Sequence, residues 1–406
     1  MDSNTKFSKI NNSLTTLNPI PNIVLVGVSY FDGMASSTRV RNLLDPLVHK
    51  NYIKVSNLIY QKDANGLTGK KGVLKNVPYQ VIGFGRSNPF SIISFLWNGI
   101  RFLLKNKSRT QKNILYNYDQ PDLRNILFIL YARLIGFKVI LDIIEDNRFY
   151  TTFPRLLTKI KIKSSIFFIK HVHFFADGII SISNHLQTEM EKISKDKIPV
   201  FLIPITVDLN KFKKNIYQVP ENFKIFYGGS YGEKDGLELL IEAYENISQQ
   251  FENVTLILTG RGAEHDMKRI YQLIDTSPVK EKILFKGFLS SDEYYNLINE
   301  CDIFCMTRVN SKFANAGFPF KLGEFLATGK AVIATNVGDV NKYIQNGENA
   351  QLIRPSSVEE ITKALLYLLK NPEQISVLGA EGRKTAENHF DSEKISMKLF
   401  SIFNSI

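Results

Sequence analysis

The sequence predicts an α/β protein in which two Rossmann-like domains each carry a parallel sheet. Its 406 residues are too many for one ordinary core and suit two domains. In both halves, short β-branched runs alternate with longer amphipathic stretches, a pattern typical of parallel sheets covered by helices. Hydrophobic residues make up 44% and charged residues 22% of the chain, as in globular proteins.

The first half begins with a predicted buried strand over residues 23–28, followed by a turn at 30–33. A helix is predicted from about residue 37 to residue 49. Later apolar runs predict strands over 113–116, 138–142, 178–182 and 200–203.

The pattern restarts after a predicted linker over 205–214. The second sheet is predicted from strands over 224–227, 254–259, 283–286, 303–306 and 331–334, with a helix over 237–247. An amphipathic helix over 392–403 closes the chain. We therefore expect a loose tail over 1–20, a first domain over 21–207, a second domain over 208–390, and a C-terminal helix over 391–406 that packs back toward the first domain.

Composition indicates the cellular compartment of the protein and the kinds of partner that it binds. The two cysteines, Cys301 and Cys305, are too few for a metal site, and we expect them to be buried and reduced. No apolar run suits a signal peptide or a membrane span, which predicts a cytoplasmic protein. The net charge of +12 favours anionic partners. Because the sequence has no RNP-type motif, zinc knuckle or Arg/Lys tail, we expect no nucleic-acid partner.

The most informative stretch runs from Asn315 to Thr335. Gly317 and Pro319 predict a tight turn before a helix that begins near Phe320, and free amides at a helix start bind anions. Lys321 lies in the first turn, where the helix dipole alone does not favour a cation, so a bound phosphate would explain it. Glu324 follows one turn later, where its carboxylate can accept from both hydroxyls of a ribose. The alternative is a surface Lys–Glu pair at i,i+3 spacing.

This stretch resembles the nucleotide-sugar binding segment of family 4 retaining glycosyltransferases, in the subset with a Gly-Phe-Pro-x-Lys-Leu-x-Glu donor segment. The resemblance extends over residues 203–212, 227–236, 258–262, 336–340 and 345–350, and it is weaker in the first half. It implies the GT-B architecture, in which the two parallel sheets face each other across a cleft. The first domain would bind the acceptor and the second the nucleotide-sugar donor.

The resemblance assigns Glu324 to the second Glu of the family's Glu-x7-Glu motif, which holds the ribose. The first Glu falls at Ala316, so either another group orients the sugar or the activity is altered. Lys234 matches the family's phosphate-binding Lys, whereas Ser230 stands where an Arg is common. We hypothesise that Lys321 supplies the positive charge that the family's Arg would carry.

A histidine of the family falls at or beside Ile144, where this chain continues with Glu145 and Asp146. These two carboxylates are candidates to bind acceptor or donor-sugar hydroxyls, or else they cap the following helix. The catalytic candidates are thus Lys234, Lys321, Glu145 and Asp146. The donor-binding candidates are Gly33, Gly229, Ser230, Lys234, Gly260, Arg261, Gly317, Phe318, Pro319, Phe320, Lys321 and Glu324. No Asp-x-Asp motif occurs, so we expect neither a metal nor a cofactor.

Two stretches, 95–107 and 153–175, combine apolar and basic residues. They suit either the interface of an anionic membrane or helices that cover a sheet and turn a basic face to solvent. Docking on the inner membrane face would fit a polyprenyl-linked acceptor, which is frequent in the family.

The sequence therefore predicts a glycosyltransferase that moves a sugar from a nucleoside diphosphate, UDP favoured, to a glycan or lipid-linked acceptor. Retention of configuration and a place in cell-surface polysaccharide or glycoconjugate synthesis follow from the resemblance. The alternatives are an epimerase or phosphorylase on the same fold, and an inactive subunit that only binds nucleotide.

Overall fold

The computed structural model describes residues 20–31, 35–61, 69–83, 89–149, 156–213 and 218–406. They form two α/β units, each with its own sheet, which confirms the predicted fold class.

The first unit contains the amino-terminal sheet. Its strands are β1 (Asn22–Val26), β2 (Lys54–Gln61), β3 (Lys71–Leu74), β4 (Val77–Gly83), β5 (Asn113–Tyr118), β6 (Lys138–Ile143), β7 (Gly178–Ser181) and β8 (Val200–Leu202). Its helices are α1 (Ala35–His49), α2 (Pro89–Asn106), α3 (Ile126–Leu134), α4 (Leu156–Lys170) and α5 (Asn184–Ser194). The strand order is β3-β4-β2-β1-β5-β6-β7-β8.

The second unit contains the other sheet. Its strands are β9 (Phe223–Ser230), β10 (Val254–Arg261), β11 (Ile283–Phe285), β12 (Ile303–Met306), β13 (Ala331–Thr335) and β14 (Gln351–Ile353). Its helices are α6 (Leu237–Ser248), α7 (Glu264–Thr276), α8 (Ser291–Glu300), α9 (Lys312–Ala316), α10 (Phe320–Ala327), α11 (Val358–Lys370) and α12 (Glu373–His389). The order β11-β10-β9-β12-β13-β14 is that of a doubly wound sheet with a topological switch between β9 and β12.

The first sheet departs from the prediction at one edge. The sequence analysis missed β2, β3 and β4, and β3 pairs antiparallel with β4 instead of parallel. Lys75 and Asn76 join the two strands with φ of 47° and 66°, the left-handed geometry of a two-residue hairpin turn. Only β3 is an edge strand, and its half-buried and exposed residues give it little apolar patterning. Strands β2 and β4 lie inside the sheet and contain buried apolar residues that the sequence analysis overlooked.

Apolar side chains alternate across the first sheet, so each face has its own helical cover. Val24, Leu115 and Leu141 pack with residues of α2, α3, α4 and α5. Ile23, Ile114 and Ile140 pack on the opposite face with α1 and with the last helix, α13 (Ser392–Ser405). The chain thus ends against the first unit, after passing through the whole of the second.

The segment that joins the two units is anchored by a buried arginine. Arg39 of α1 is 1% exposed and donates through Nε and Nη2 to Asp142 at the end of β6, at 3.0 Å each. Its Nη1 and Nη2 also donate to the carbonyls of Pro204 and Ile203, at 2.7 and 3.0 Å. The sequence analysis gave this arginine no role, because surface arginines are commoner.

The same segment also contacts the second unit. The Val207 amide donates to the Phe390 carbonyl at 2.7 Å, and the Ser392 amide donates to the Val207 carbonyl at 3.0 Å. Gly323 in α10 lies so close to Ile205 and Val207 that a Cβ there would come within 2.8 Å of both side chains. The segment therefore fixes α10 relative to the first sheet.

Both cysteines are buried and unpaired, as predicted. Burial raises the pKa of Cys301 to about 12, so its thiol stays protonated. Among the residues that the structure describes, no helix has the length and apolar character that crossing a bilayer requires.

Replacing Arg39 with Met should lower the free energy of unfolding of the first unit by about 3–5 kcal/mol, because it leaves a buried carboxylate without its partner. The single tryptophan, Trp97, lies in α2 and reports on this unit, so its fluorescence in increasing urea measures the effect. Arg354→Met is the matched control, because that side chain is exposed. Equal unfolding midpoints for the two variants would contradict a structural role for Arg39.

Candidate active site

A cavity of about 350 Å³ opens at the carboxyl ends of β9, β10 and β12. It lies at the switch point of the second sheet, where open α/β sheets bind their ligands. Ala35 and Thr38, in the first turn of α1, also line it. The cavity therefore lies between the two units.

The start of α10 forms one wall of this cavity. The helix follows Pro319, which provides no side-chain cap. Pro319, Phe320 and Lys321 all line the cavity. The amides of a first helical turn and the positive end of the helix dipole suit this wall to a bound anion.

Glu324 is 2% exposed and yet lines the same cavity. Its Oε2 accepts from the Tyr294 hydroxyl and from Lys321 Nζ, both at 3.0 Å, and its Oε1 accepts from the Tyr295 hydroxyl at 3.0 Å. The Lys321 ammonium also lies 4.0 Å from the centroid of the Tyr294 ring. The i,i+3 pair that was the alternative interpretation is thus present, but it is in the cavity wall and not on the outer surface.

The two tyrosines come from α8, whose start is fixed by a capping box between Ser290 and Glu293. Burial, followed by the charge of Glu324, raises the pKa of both tyrosines above its ordinary value. Both phenols therefore stay protonated and donate to the carboxylate. The sequence analysis missed them, because aromatic residues in an amphipathic helix are usually core residues.

The turns after β9 and β10 form the opposite wall. Gly229, Ser230, Gly260 and Arg261 all line the cavity. Gly260 has a φ of 137°, and a Cβ there would lie 1.8 Å from the Gly229 carbonyl oxygen, so only glycine fits. The Arg261 guanidinium lies 4.4 Å from the centroid of the Phe288 ring, which is also part of the lining.

Lys234 lies beside the cavity and reaches across to the first unit. Its Nζ is 3.7 Å from Glu145 Oε1 and 4.4 Å from the centroid of the Phe313 ring. Burial, followed by the charge of Arg308, lowers the pKa of Lys234. The predicted phosphate-binding lysine and one predicted carboxylate are therefore brought together from the two units.

The neighbouring carboxylate has a different environment. Asp146 is buried, and Arg148 donates to both of its oxygens, from Nε at 2.9 Å and from Nη2 at 2.6 Å. Its Oδ1 also accepts from the Arg148 amide at 3.0 Å, at the start of the short 3₁₀ helix Asn147–Phe149. These contacts match the capping alternative, and they leave Glu145 as the more accessible carboxylate.

Burial raises the pKa of a third carboxyl group, Asp119, to about 6, and the charge of Glu145 adds to this effect. Asp119 follows β5 with a φ of 72°. The Gln120 side chain donates to the Glu145 carbonyl at 2.9 Å, which holds the loops after β5 and β6 together. The sequence analysis missed this residue, although its place after a buried strand was a usable signal.

Other predicted donor-binding residues lie away from the cavity lining. Phe318 is buried against Tyr343 and Phe390, with ring centroids 5.4 and 5.8 Å apart. A Cβ at Gly317 would lie 3.6 Å from the Ile144 carbonyl, so this glycine lies close to the first unit. Ala316 is also buried, and its carbonyl accepts from the Ser183 hydroxyl at 2.5 Å. Gly33 lies outside the described residues.

The sequence analysis also missed Arg308. This residue lies two positions beyond the end of β12 and lines the cavity. Its Nε is 3.7 Å from Asp235 Oδ1, and the other oxygen of Asp235 accepts from the Ser230 hydroxyl at 2.6 Å. A polar pair, Thr307-Arg308, directly after a buried strand was a signal that could have identified it.

Comparisons with known proteins agree with this geometry. Residues 209–385 match the family described as glycosyl transferases group 1. An uncharacterized glycosyltransferase of Methanocaldococcus jannaschii is 25% identical over 325 residues, which are 73% of this chain and 86% of that protein. The capsular polysaccharide biosynthesis glycosyltransferase CapM of Staphylococcus aureus is 25% identical over 202 residues, or 49% of this chain and 50% of CapM.

Among solved structures, Anabaena HepE in complex with UDP superimposes with a TM-score of 0.71 at 15% identity, covering 95% of this chain and all of HepE. This likeness covers both α/β units and the cleft between them, and so establishes the GT-B fold. The chain therefore has the GT-B fold, and its residues 209–385 match the glycosyl transferases of group 1.

Proposed function

We propose that this protein is a glycosyltransferase that takes a sugar from a nucleoside diphosphate donor and transfers it with retention of configuration. The observation that carries the proposal is a cavity that is lined by both the start of α10 and the Glu324 carboxylate. The helix start suits the diphosphate and the carboxylate suits the ribose hydroxyls. Retention, and membership of family 4, rest on the resemblance of residues 315–335 to that family's donor segment.

The donor in this proposal is a UDP-sugar. HepE, which shares the fold, was solved with UDP. As the bond between the sugar and the diphosphate breaks, negative charge grows on the departing nucleotide. Preorganised cations and helix amides stabilise that charge without reorganising, and here they would take the place of a metal ion.

The acceptor would bind on the side of the first unit. Glu145 and Asp119 lie close together at the carboxyl edge of the first sheet, and in this proposal their carboxyl groups bind sugar hydroxyls. Glu145 is also the group we propose to orient the donor sugar, because it faces Lys234 and Ala316 has no carboxylate. Asp146 has both oxygens engaged by Arg148, so we give it a supporting role only.

We place the reaction in cell-surface polysaccharide or glycoconjugate synthesis, with a glycan or polyprenyl-linked acceptor. The similarity to CapM, a capsular polysaccharide enzyme, supports this placement.

A lipid-linked acceptor would require contact with a membrane, and one face of the first unit suits it. Helices α2, α3 and α4 cover the same face of the first sheet. They expose large apolar side chains, including Trp97 at 64%, Leu134 at 80% and Phe167 at 59%. None of the three helices contains an Asp or Glu, and their basic residues are Arg101, Lys105, Arg133, Lys159, Lys161, Lys163 and Lys170. Apolar side chains among lysines and arginines suit the interface of an anionic bilayer.

Replacing Glu324 with Gln should weaken UDP binding by about 10-fold to 100-fold, because the hydrogen bonds from the ribose hydroxyls to a charged acceptor are lost. Isothermal titration with UDP, and in parallel with GDP, measures the change. Glu359→Gln is the control, because that carboxylate is exposed. Unchanged UDP affinity in a folded Glu324→Gln variant would refute the ribose assignment.

Measurements of turnover distinguish a transferase from an epimerase and from an inactive subunit. With UDP-glucose or UDP-N-acetylglucosamine, a transferase should release UDP rapidly only when a glycan or polyprenyl-phosphate acceptor is added. Conversion of the donor sugar without any acceptor would indicate an epimerase. Tight UDP binding without turnover on any acceptor would indicate an inactive subunit.

Changing the four lysines of α4 to Gln should lower partitioning onto vesicles that contain phosphatidylglycerol by about 100-fold or more, since each basic residue contributes about 1 kcal/mol near an anionic surface. Co-sedimentation and the emission of Trp97, the single tryptophan, follow binding. The control changes exposed lysines of the second unit, Lys268, Lys363 and Lys384, to Gln. Equal binding to neutral and anionic vesicles would contradict the proposal.

A further inference from the structure

The donor cavity contains a guanidinium group in an unexpected place. The resemblance to family 4 puts an arginine at position 230, but this chain has Ser230 there. Arg308 comes from a different loop and lines the same cavity, with a side chain that is 19% exposed.

The loop that carries Arg308 is fixed to the loop that carries Lys234. The Thr307 hydroxyl lies 3.1 and 3.2 Å from the carbonyls of Asp235 and Gly236, and the Val309 amide donates to the Lys234 carbonyl at 3.0 Å. Gly236 has a φ of 64°, and a Cβ there would lie 2.2 Å from the Thr307 carbonyl oxygen. This close contact needs glycine, and it sets Arg308 beside Lys234.

Asp235 connects Arg308 to position 230. Its Oδ2 accepts from the Ser230 hydroxyl at 2.6 Å, while its Oδ1 lies 3.7 Å from Arg308 Nε. The carboxylate is 8% exposed, so this chain of contacts is largely shielded from water. Asp235 therefore holds the guanidinium of Arg308 next to the position that the usual arginine would occupy.

Two cations held this close repel each other, and the charge of Arg308 is one cause of the lowered pKa of Lys234. An anion between like charges removes this repulsion. A diphosphate at the start of α10 is such an anion, and the same cavity wall that presents Ser230 also presents Arg308 to it.

Lys321 is less suited to this task. Its ammonium contacts Glu324 at 3.0 Å and the face of Tyr294 at 4.0 Å, both on the side of the proposed ribose site. The hypothesis that Lys321 replaces the missing arginine would require it to leave both partners.

We infer that Arg308 binds the diphosphate of the donor, together with Lys234, in place of the arginine that Ser230 lacks, and that Asp235 positions it. This inference rests on the proposed function, because it assumes that the donor is a nucleoside diphosphate sugar.

The test compares UDP with UMP by isothermal titration. Arg308→Gln should weaken UDP binding by about 10-fold to 100-fold, the effect of losing a hydrogen bond to a charged group, and should weaken UMP binding by less than about 3-fold. Arg354→Gln is the control, because that arginine is exposed on the second unit away from the cavity. Equal losses for UDP and UMP would indicate a structural defect and overturn the inference.

A second variant, which moves the guanidinium from position 308 to position 230, distinguishes diphosphate binding from a merely structural role of Arg308. Ser230→Arg in the Arg308→Gln background returns a guanidinium to the family position and should recover at least part of the UDP affinity. A double variant no better than Arg308→Gln, or a Lys321→Gln variant that loses UDP affinity while Arg308→Gln does not, would overturn the inference. If the unaltered protein binds neither UDP nor GDP, the proposed function itself fails, and that outcome is distinct from the others.

Discussion

The architecture depends on one buried ion pair. Arg39 leaves α1, spans the end of the first sheet and binds both Asp142 and the carbonyls of the connecting segment. A charged pair with almost no exposure is stable only if each polar atom has a partner, and here the backbone carbonyls provide the additional acceptors. The same segment packs against Gly323 in α10. A buried arginine in the first unit thereby determines where α10 of the second unit lies.

The site shows how a doubly wound sheet concentrates positive charge at one edge. The start of α10 lines the cavity, and the loops after β9 and β12 add Lys234 and Arg308 beside it. The repulsion between these two cations is reduced by two carboxylates. Asp235 lies within ion-pair distance of Arg308, and Glu145 lies within ion-pair distance of Lys234. In the proposed reaction, these groups would be preorganised for the charge that develops in the transition state.

Glu324 illustrates how a carboxylate can be kept ready in a nearly buried position. Two tyrosine hydroxyls and one ammonium donate to it. These contacts compensate for its burial, since a buried charge is tolerated only when it is paired or hydrogen-bonded. In the proposed complex, the hydroxyls of a bound ribose would replace some of these donors to Glu324. In the proposed function, the tyrosines therefore belong to the donor site together with the carboxylate they contact.

Periodicity and turn chemistry in the sequence were enough to predict two α/β units, the strands of their central regions, and a helix that starts at Phe320 with Lys321 and Glu324 on it. These features are local, because apolar patterning and the residues before a helix act over a few positions. The edge strand β3 lacks that patterning, because its residues are half-buried or exposed, and it was not predicted. Only tertiary structure decided that Asp146 is bound by Arg148, that Arg39 is buried, and that Arg308 lies beside Lys234 although 74 positions separate them. Arg39 and Asp142, like Arg308 and Lys234, lie far apart in the chain, and the physical reason that they meet is that parallel strands bring distant segments to one edge of a sheet. Asp146 and Arg148 are neighbours in one loop, and only the fold of that loop turns Arg148 back onto the carboxylate.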